Sequence, residues 1–405
     1  MCASAFTLKI SSLVLLALVL SACDSGSTPK SAGMAEGLTL SQLSAVEALG
    51  QKIFNDDNLS EPAGMACATC HAANRAFTGP ANPSASASAT VAPGIVAGTS
   101  GLRNVPTASY SLYSPAFTNG GDGPSGGQFY DGRAVNLAEQ AKGPFLNADE
   151  MANTNKEMVI NKIRSAAYVN EFTRVWGADS LNDSNQAYER VAASLAAFEK
   201  TAQFHRFNSK YDFFLAGRVA LTQQEARGLA LFNDKTKGNC AACHPSMPRE
   251  GGSPPLFTDF SYDNLGVPRN NSIAANLDHA FYDLGLCGPN RSDISDPKLC
   301  GKFKVPTLRN IALTAPYMHN GFFQNLRDVV EFYATRDTDP SKWYAGAGKF
   351  DDLPAQYLAS VNTREVPLNR SLGDSPALNA QDIDDIVAFL NTLTDGFNVA
   401  TGTAQ

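Results

Sequence analysis

Cys67-Ala68-Thr69-Cys70-His71 and Cys240-Ala241-Ala242-Cys243-His244 are two copies of one pentapeptide, and their reading decides the fold. Cys-x-x-Cys-His is the attachment signature of c-type haem. Two thiols one short turn apart reach the two vinyl groups of a porphyrin and form thioethers. The His that follows is expected to project from the start of a helix and to supply a nitrogen to the iron. One copy alone is compatible with a redox dithiol or half a zinc site. Two copies, each ending in His, in a chain with an export signal point to two covalently bound haem c groups. The rest of the chain is then what surrounds two irons.

The export signal is short. Lys9 precedes an apolar run, Leu13 to Leu20, too brief to span a bilayer as a permanent helix. Leu20-Ser21-Ala22-Cys23 follows and resembles a bacterial lipoprotein cleavage box, which makes residues 1–22 a signal peptide and Cys23 a lipid-bearing first residue. The competing reading is an ordinary signal peptide with a chance Cys. Either way the expected address is the periplasm; the lipid adds a membrane anchor, and residues 23–38 read as a flexible tether. The eight cysteines are then accounted for. Cys2 leaves with the signal, Cys23 is lipidated and four hold haem. Cys287 and Cys300 flank the turn-rich stretch GPNRSDISDPK, and an oxidising compartment permits a disulfide between them. No thiol is left for nucleophilic catalysis. The net charge of −7 comes without a Lys/Arg block, which argues against nucleic-acid binding. A mildly acidic surface suits a basic electron donor.

Each haem motif occupies the same place in a repeated unit. TLSQLSAVEALGQKIFND precedes the first and LTQQEARGLALFND the second. Both open on a capping-box pattern, Thr39 to Gln42 and Thr222 to Glu225, and both carry an amphipathic helix ending in Phe-Asn-Asp at Phe54 and Phe232. A Leu-Arg-Asn triplet recurs after each motif, at Leu102 and Leu308. Each half closes on a helix with one apolar face: Tyr188, Val191, Leu195 and Phe198 in the first, Ile383, Ile386, Val387 and Leu390 in the second. The expectation is a mainly α protein of two tandem cytochrome c-like haem domains with long loops. The first covers residues 39–210 and the second 211–405, with the boundary near 205–220. Residues 80–101 and the Gly-rich 119–127 read as loops wrapping the haem edges; the latter lacks the Lys-Ser/Thr of a phosphate loop.

The stretches GGQFYDGRAVNLAEQAKGPFLNADEM (126–151) and KVPTLRNIALTAPYMHNGFFQNLRDVVEFY (304–333), together with the haem motifs, resemble the bacterial dihaem cytochrome c peroxidase superfamily. The resemblance covers nearly the whole mature chain, in the family's order and spacing. It implies that the iron held by His71 is the peroxidatic one and that the family's distal Gln, Pro and Glu fall on Gln140, Pro144 and Glu150. Cleaving hydrogen peroxide needs a group that takes a proton from one oxygen and returns it to the other, and a partly desolvated carboxylate does both. The bland alternative is that Glu150 is a favourable first-turn acid of a helix. The resemblance also implies a calcium ion between the domains, bound by the Asn104 side chain and the carbonyls of Thr314 and Pro316; oxygen donors suit that cation. A plain turn Asn is the competing reading.

Departures choose the branch. Ordinary members carry a switching His after the first motif, but none of the five His (71, 205, 244, 279 and 319) lies between 71 and 205. The first iron is therefore expected to be open when oxidised. Where ordinary members place a Met as sixth ligand of the second haem, Tyr333 stands, which resembles the MauG-like branch, including the dihaem enzymes associated with methanobactin clusters. A phenolate favours oxidised iron, whereas a thioether favours the reduced state. Met318 and His319 are alternatives by chemistry, and Tyr333 as a core aromatic is the plain one. His319 reads as a packed, hydrogen-bonded residue; His205 and His279 read as structural or exposed. Tyr130 replaces the family's Trp between the haems, so any relay there is coupled to proton loss, and Trp176 and Trp343 read as packing residues. The resemblance thus implies an exported peroxidase-family enzyme that forms high-valent haem with hydrogen peroxide and oxidises a protein partner, a Trp residue being the expected target. An ordinary peroxidase fed by a small redox protein, and a non-enzymatic electron-transfer lipoprotein, are the rival readings.

Overall fold

The computed structural model describes residues 43–79, 90–346 and 348–404. The signal peptide, Cys23, the tether, the capping pattern at Thr39 to Gln42 and residues 80–89 of the first long loop lie outside them. The described chain is mainly helical. Helices α1 (Ala45–Phe54), the single turn α2 (Cys67–Cys70), α3 (Leu137–Leu146), α4 (Lys156–Arg164), α5 (Val169–Trp176) and α6 (Ser184–Glu199) make up the first half. The second has α7 (Lys210–Leu215), α8 (Gln223–Asn233), α9 (Leu326–Thr335) and α10 (Ala380–Asn391). The strands are short antiparallel pairs: β1 (Thr118–Gly120) with β2 (Gly123–Ser125), β3 (Tyr262–Asp263) with β4 (Phe303–Lys304), and β5 (Phe397–Asn398) with β6 (Thr403–Ala404).

Local chemistry sets the helix starts. Ser44 and Glu47 form a capping box at α1, and Thr222 and Glu225 form the expected one at α8, each satisfying two otherwise orphaned N–H groups. One core holds Leu49, Ile53, Phe54, Tyr188, Val191, Leu195 and Phe198; another holds Phe232, Ile383, Ile386, Phe389 and Leu390. The two cores are built alike. Phe54 meets Phe198 edge-on at 5.3 Å between ring centroids, and Phe232 meets Phe389 at 5.2 Å. Gly50 and Gly228 lie where α1 crosses α6 and α8 crosses α10. A Cβ at either would stand 1.9 Å from a carbonyl oxygen, that of Ser194 or of Asp385.

Two local expectations are corrected. Residues 119–127 are not all loop: β1 and β2 form a hairpin there, Asn119 opposite Pro124. Its tight turn needs the left-handed φ of Gly123, which a Gly-rich run supplies. And neither His starts a helix. His71 follows the last residue of α2, and Cys240–Ala242 is a 3₁₀ turn ahead of His244. The chain turns back at once because each ring is held by a carbonyl further on, as described below. The disulfide forms as expected, Cys287 to Cys300, with 5.0 Å between Cα atoms.

Candidate functional site

The two His rings are fixed in the same way. His71 Nδ1 donates to the Phe77 carbonyl at 2.9 Å and His244 Nδ1 to the Phe257 carbonyl at 2.7 Å, leaving each Nε2 free to bind iron. Phe77 and Phe257 both hold left-handed backbone, at φ 57° and 54°, an unusual state for an aromatic residue. Burial lowers the proton affinity of both imidazoles, which keeps them neutral and ready to coordinate. Cys67, Cys70, Cys240 and Cys243 are unbridged. One continuous cavity is lined by both His71 and His244. One oriented imidazole from each motif on a shared, largely apolar cavity, with Cys240 and Cys243 also lining it and Cys67 and Cys70 on the turn that carries His71, fits two c-type haems.

The other expected residues fall in three places. Gln140 on α3 and Tyr130 in the preceding loop line the cavity. Burial raises the Tyr130 phenol well above its ordinary value, and Arg103 partly offsets this. Pro144 and Glu150 are not among the residues that line the cavity. Pro144 lies inside α3, where its carbonyl accepts from Met151 N at 3.2 Å and so sets the turn that carries Glu150. The Glu150 carboxylate accepts from Asn147 Nδ2 at 2.9 Å. Burial raises its proton affinity, against the pull of Asn147 and Arg133, and it acts electrostatically on the Cys70 thiol.

At the second centre Tyr333, Met318 and His319 all line the cavity. They differ in what they face. Burial pushes the Tyr333 phenol up, and negative charge at Cys243 and Cys240 pushes it the same way. Met318 has left-handed backbone at φ 70° and packs with Tyr317, Phe323 and neighbouring apolar residues. His319 stacks on Phe303 at 3.6 Å with an 11° tilt. Burial lowers its pKa to about 4, and Asp283 and Arg103 are its charged neighbours. The expectation of a hydrogen-bonded His319 is corrected: among the described residues its ring has a stacking partner and no hydrogen-bond partner. His205 Nε2 lies 2.9 Å from the Lys200 carbonyl, and His279 is exposed. Trp176 and Trp343 pack with apolar neighbours, and their Nε1 atoms donate to Ser194 Oγ and Thr335 Oγ1.

Asn104 and Pro316 do meet. Asn104 Nδ2 donates to the Pro316 carbonyl at 2.6 Å, and Asn104 N donates to the His319 carbonyl at 2.7 Å. As oriented, the amide offers that carbonyl a donor; cation binding requires it to turn its oxygen inward. Thr314 lines the same cavity. Among the described residues no group of three or more His, Cys, Asp or Glu side chains forms a metal site.

Sequence reasoning missed a buried charge cluster between the halves. Arg103 donates to Asp283 at 2.5 and 2.7 Å and to Asp131 at 2.7 Å, and Arg133 Nη1 reaches Asp131 at 2.9 Å. Its signal was the Leu-Arg-Asn repeat. The second copy does the same: Arg309 pairs bidentately with Asp212 at 2.8 and 2.9 Å, and Asn310 Nδ2 donates to Asp395. Glu199, at the end of α6, was missed too. It lines the cavity, and burial raises its carboxyl pKa to about 8.

Comparison with known proteins places the chain among enzymes of this architecture. The family described as "Di-haem cytochrome c peroxidase" matches residues 44–220. Methylamine utilization protein MauG of Paracoccus denitrificans is 37% identical over 87% of this chain and 89% of its own. Cytochrome c551 peroxidase of Nitrosomonas europaea is 32% identical over 75% and 73%. Among solved structures, the diheme peroxidase BthA of Burkholderia thailandensis superposes with a TM-score of 0.81 at 38% identity, covering 90% of each chain.

Proposed function

The chain belongs to the MauG-like dihaem cytochrome c peroxidase superfamily and is a haem-peroxidase-type oxidoreductase, and from that premise we propose that it uses hydrogen peroxide to oxidise a protein partner. The observation that carries the reading is Tyr333: α9 brings its phenol to the wall of the cavity that His244, Cys240 and Cys243 also line.

Bound haem supplies the iron that accepts the two oxidising equivalents of peroxide. The protein does the rest. His71 and His244 would hold the irons through Nε2, the tautomer that the Phe77 and Phe257 carbonyls favour. Glu150 takes the proton from the inner peroxide oxygen and returns it to the outer one, its raised proton affinity suiting both steps. Gln140 orients peroxide by hydrogen bonding, and Pro144 shapes the turn. Tyr130, in the wall between the centres, relays an electron only as its phenol loses a proton. Tyr333, as phenolate, would ligate the second iron, and a phenolate there would favour its oxidised state. The electrons come from an oxidisable residue of a periplasmic partner, with Trp the expected type. We assign residues 39–210 and 211–405 to the two haem domains, Cys23 to a lipid anchor, and a calcium ion to Asn104, Thr314 and Pro316.

The test is rapid mixing of the fully oxidised, haem-loaded protein with stoichiometric peroxide. Prompt spectral change without prior reduction supports the reading. Reaction only after one electron is added, with steady turnover of reduced cytochrome c, replaces it with an ordinary peroxidase cycle, the reading favoured by the likeness to cytochrome c551 peroxidase. No reaction in either state leaves an electron carrier.

A further inference from the structure

Lys304 is a cation without an anion. It sits on β4, opposite Tyr262 of β3, and its backbone N donates to the Tyr130 carbonyl at 2.8 Å. Its side chain turns back to the first half, where Nζ donates to the Gly127 carbonyl and, at 3.3 Å, to Ser114 Oγ. It is the one Lys or Arg among the described residues lining the cavity shared by His71 and His244. Among the described residues, no carboxylate lies within 4.0 Å of it. Asp131 acts on it from further off, but that carboxylate already serves Arg103 and Arg133. Two cavity-lining acids are also engaged, since Asp263 and Glu365 both accept from Asn362 Nδ2.

An ammonium has three N–H donors, and two have partners here. A part-buried ammonium held only by a carbonyl and a hydroxyl keeps an uncompensated share of its desolvation penalty, which an incoming anion offsets. The apolar cavity admits a porphyrin, and the anions a porphyrin carries are its two propionates.

We propose that the Lys304 ammonium is the counter-ion of a haem propionate at the junction of the two histidine centres, and that it fixes how that porphyrin is oriented. The proposal rests on the dihaem reading. Lys304 is a positioning residue: it touches the periphery of the group and acts on the iron through charge. A cation beside a propionate offsets negative charge near the iron, so its loss favours the oxidised state and lowers the potential.

The experiment compares wild type, Lys304→Met and Lys304→Arg, each first assayed for two covalent haems per chain. Fewer than two in wild type sinks the dihaem reading itself, independently of Lys304. Resonance Raman spectra then report the propionate bending modes, and potentiometric titration the potential of each haem. In Lys304→Met one propionate mode moves and one haem shifts to lower potential; in Lys304→Arg the mode moves but the potential stays near wild type. Unchanged modes and potentials in a fully loaded Lys304→Met overturn the proposal. Should Lys304→Met fail to load haem, Lys304→Arg decides: a guanidinium beside a propionate moves its mode, and an unmoved mode overturns the proposal.

Discussion

Glu150 owes its position to backbone before chemistry. The Met151 N–H bonds the Pro144 carbonyl and the Glu150 N–H bonds that of Asn147, so the carboxylate is carried on a closed turn rather than on a helix start. Burial holds it above the ordinary carboxylate range. The basic form, which accepts the first proton, is thus lost as pH falls through a value higher than a free Glu would show. The rate of reaction with peroxide should fall on that acid limb, and Glu150→Gln should lower it ~100-fold or more and flatten the limb. Stopped-flow rates across acid pH check this, and an unchanged rate removes Glu150 from the chemistry. Tyr333 has its own test beside Met318. Tyr333→Phe should abolish phenolate-to-iron charge-transfer absorption and raise the potential of one haem, while Met318→Leu leaves both as they were. The reverse pattern makes the thioether the ligand. Glu199 adds a stability signature. Its folded pKa is raised, so the folded state binds the extra proton and stability declines as pH rises from the ordinary Glu range toward about 8. Glu199→Gln should remove that decline, read as Tm against pH.

The helix crossings explain why the repeat is visible in sequence. Gly50 and Gly228 stand at the same step of α1 and α8, each against a carbonyl of the closing helix of its half. Alanine at either must push two helices apart. Intrinsic helix propensity favours Ala over Gly by about 1 kcal/mol, and overpacking costs typically 1–3 kcal/mol. The net expectation is a loss of stability for Gly50→Ala and Gly228→Ala, seen as a lower denaturant midpoint with an unchanged slope; a gain would mean the helices separate freely. The long helices were legible because apolar spacing and the Thr222–Glu225 cap are local properties. The haem turns were less so. A left-handed Phe77 or Phe257 runs against local preference and is imposed by the His ring that its carbonyl receives. The hairpin at 118–125 was hidden for the opposite reason, since a Gly-rich run constrains almost nothing. His319 was misread because a ring partner leaves no mark in sequence, and Phe303 lies sixteen residues away.

At the scale of the molecule, the halves are joined partly by residues the sequence marked, Asn104 and Pro316, and partly by residues it concealed. The haem motifs declared themselves by type and spacing. Arg103, Asp131 and Asp283 did not, because a buried ion cluster depends on which loops meet. Their side chains keep 8, 0 and 7% of their exposure. Removing one partner from such a set leaves a buried charge uncompensated, at about 3–5 kcal/mol. Asp283→Asn strips Arg103 of its bidentate partner and should cost on the order of 3 kcal/mol. The pH dependence gives the sign. Burial works to raise the Asp283 carboxyl, but Arg103 outweighs it and holds the group below its ordinary value. Its contribution is therefore present above the ordinary Asp range and lost as pH falls through the folded value. Wild type should lose stability on acidification more steeply than Asp283→Asn, so the two unfolding curves converge at low pH. The cluster also borders His319, whose carbonyl receives the Asn104 N–H from the other half. Calorimetry of the haem-loaded protein follows this coupling. If the ion cluster makes the halves unfold together, one transition in wild type becomes two in Asp283→Asn. A single transition in both would mean that the halves are joined by the remaining contacts, Tyr110 to Asp395 and Lys304 to Tyr130 among them.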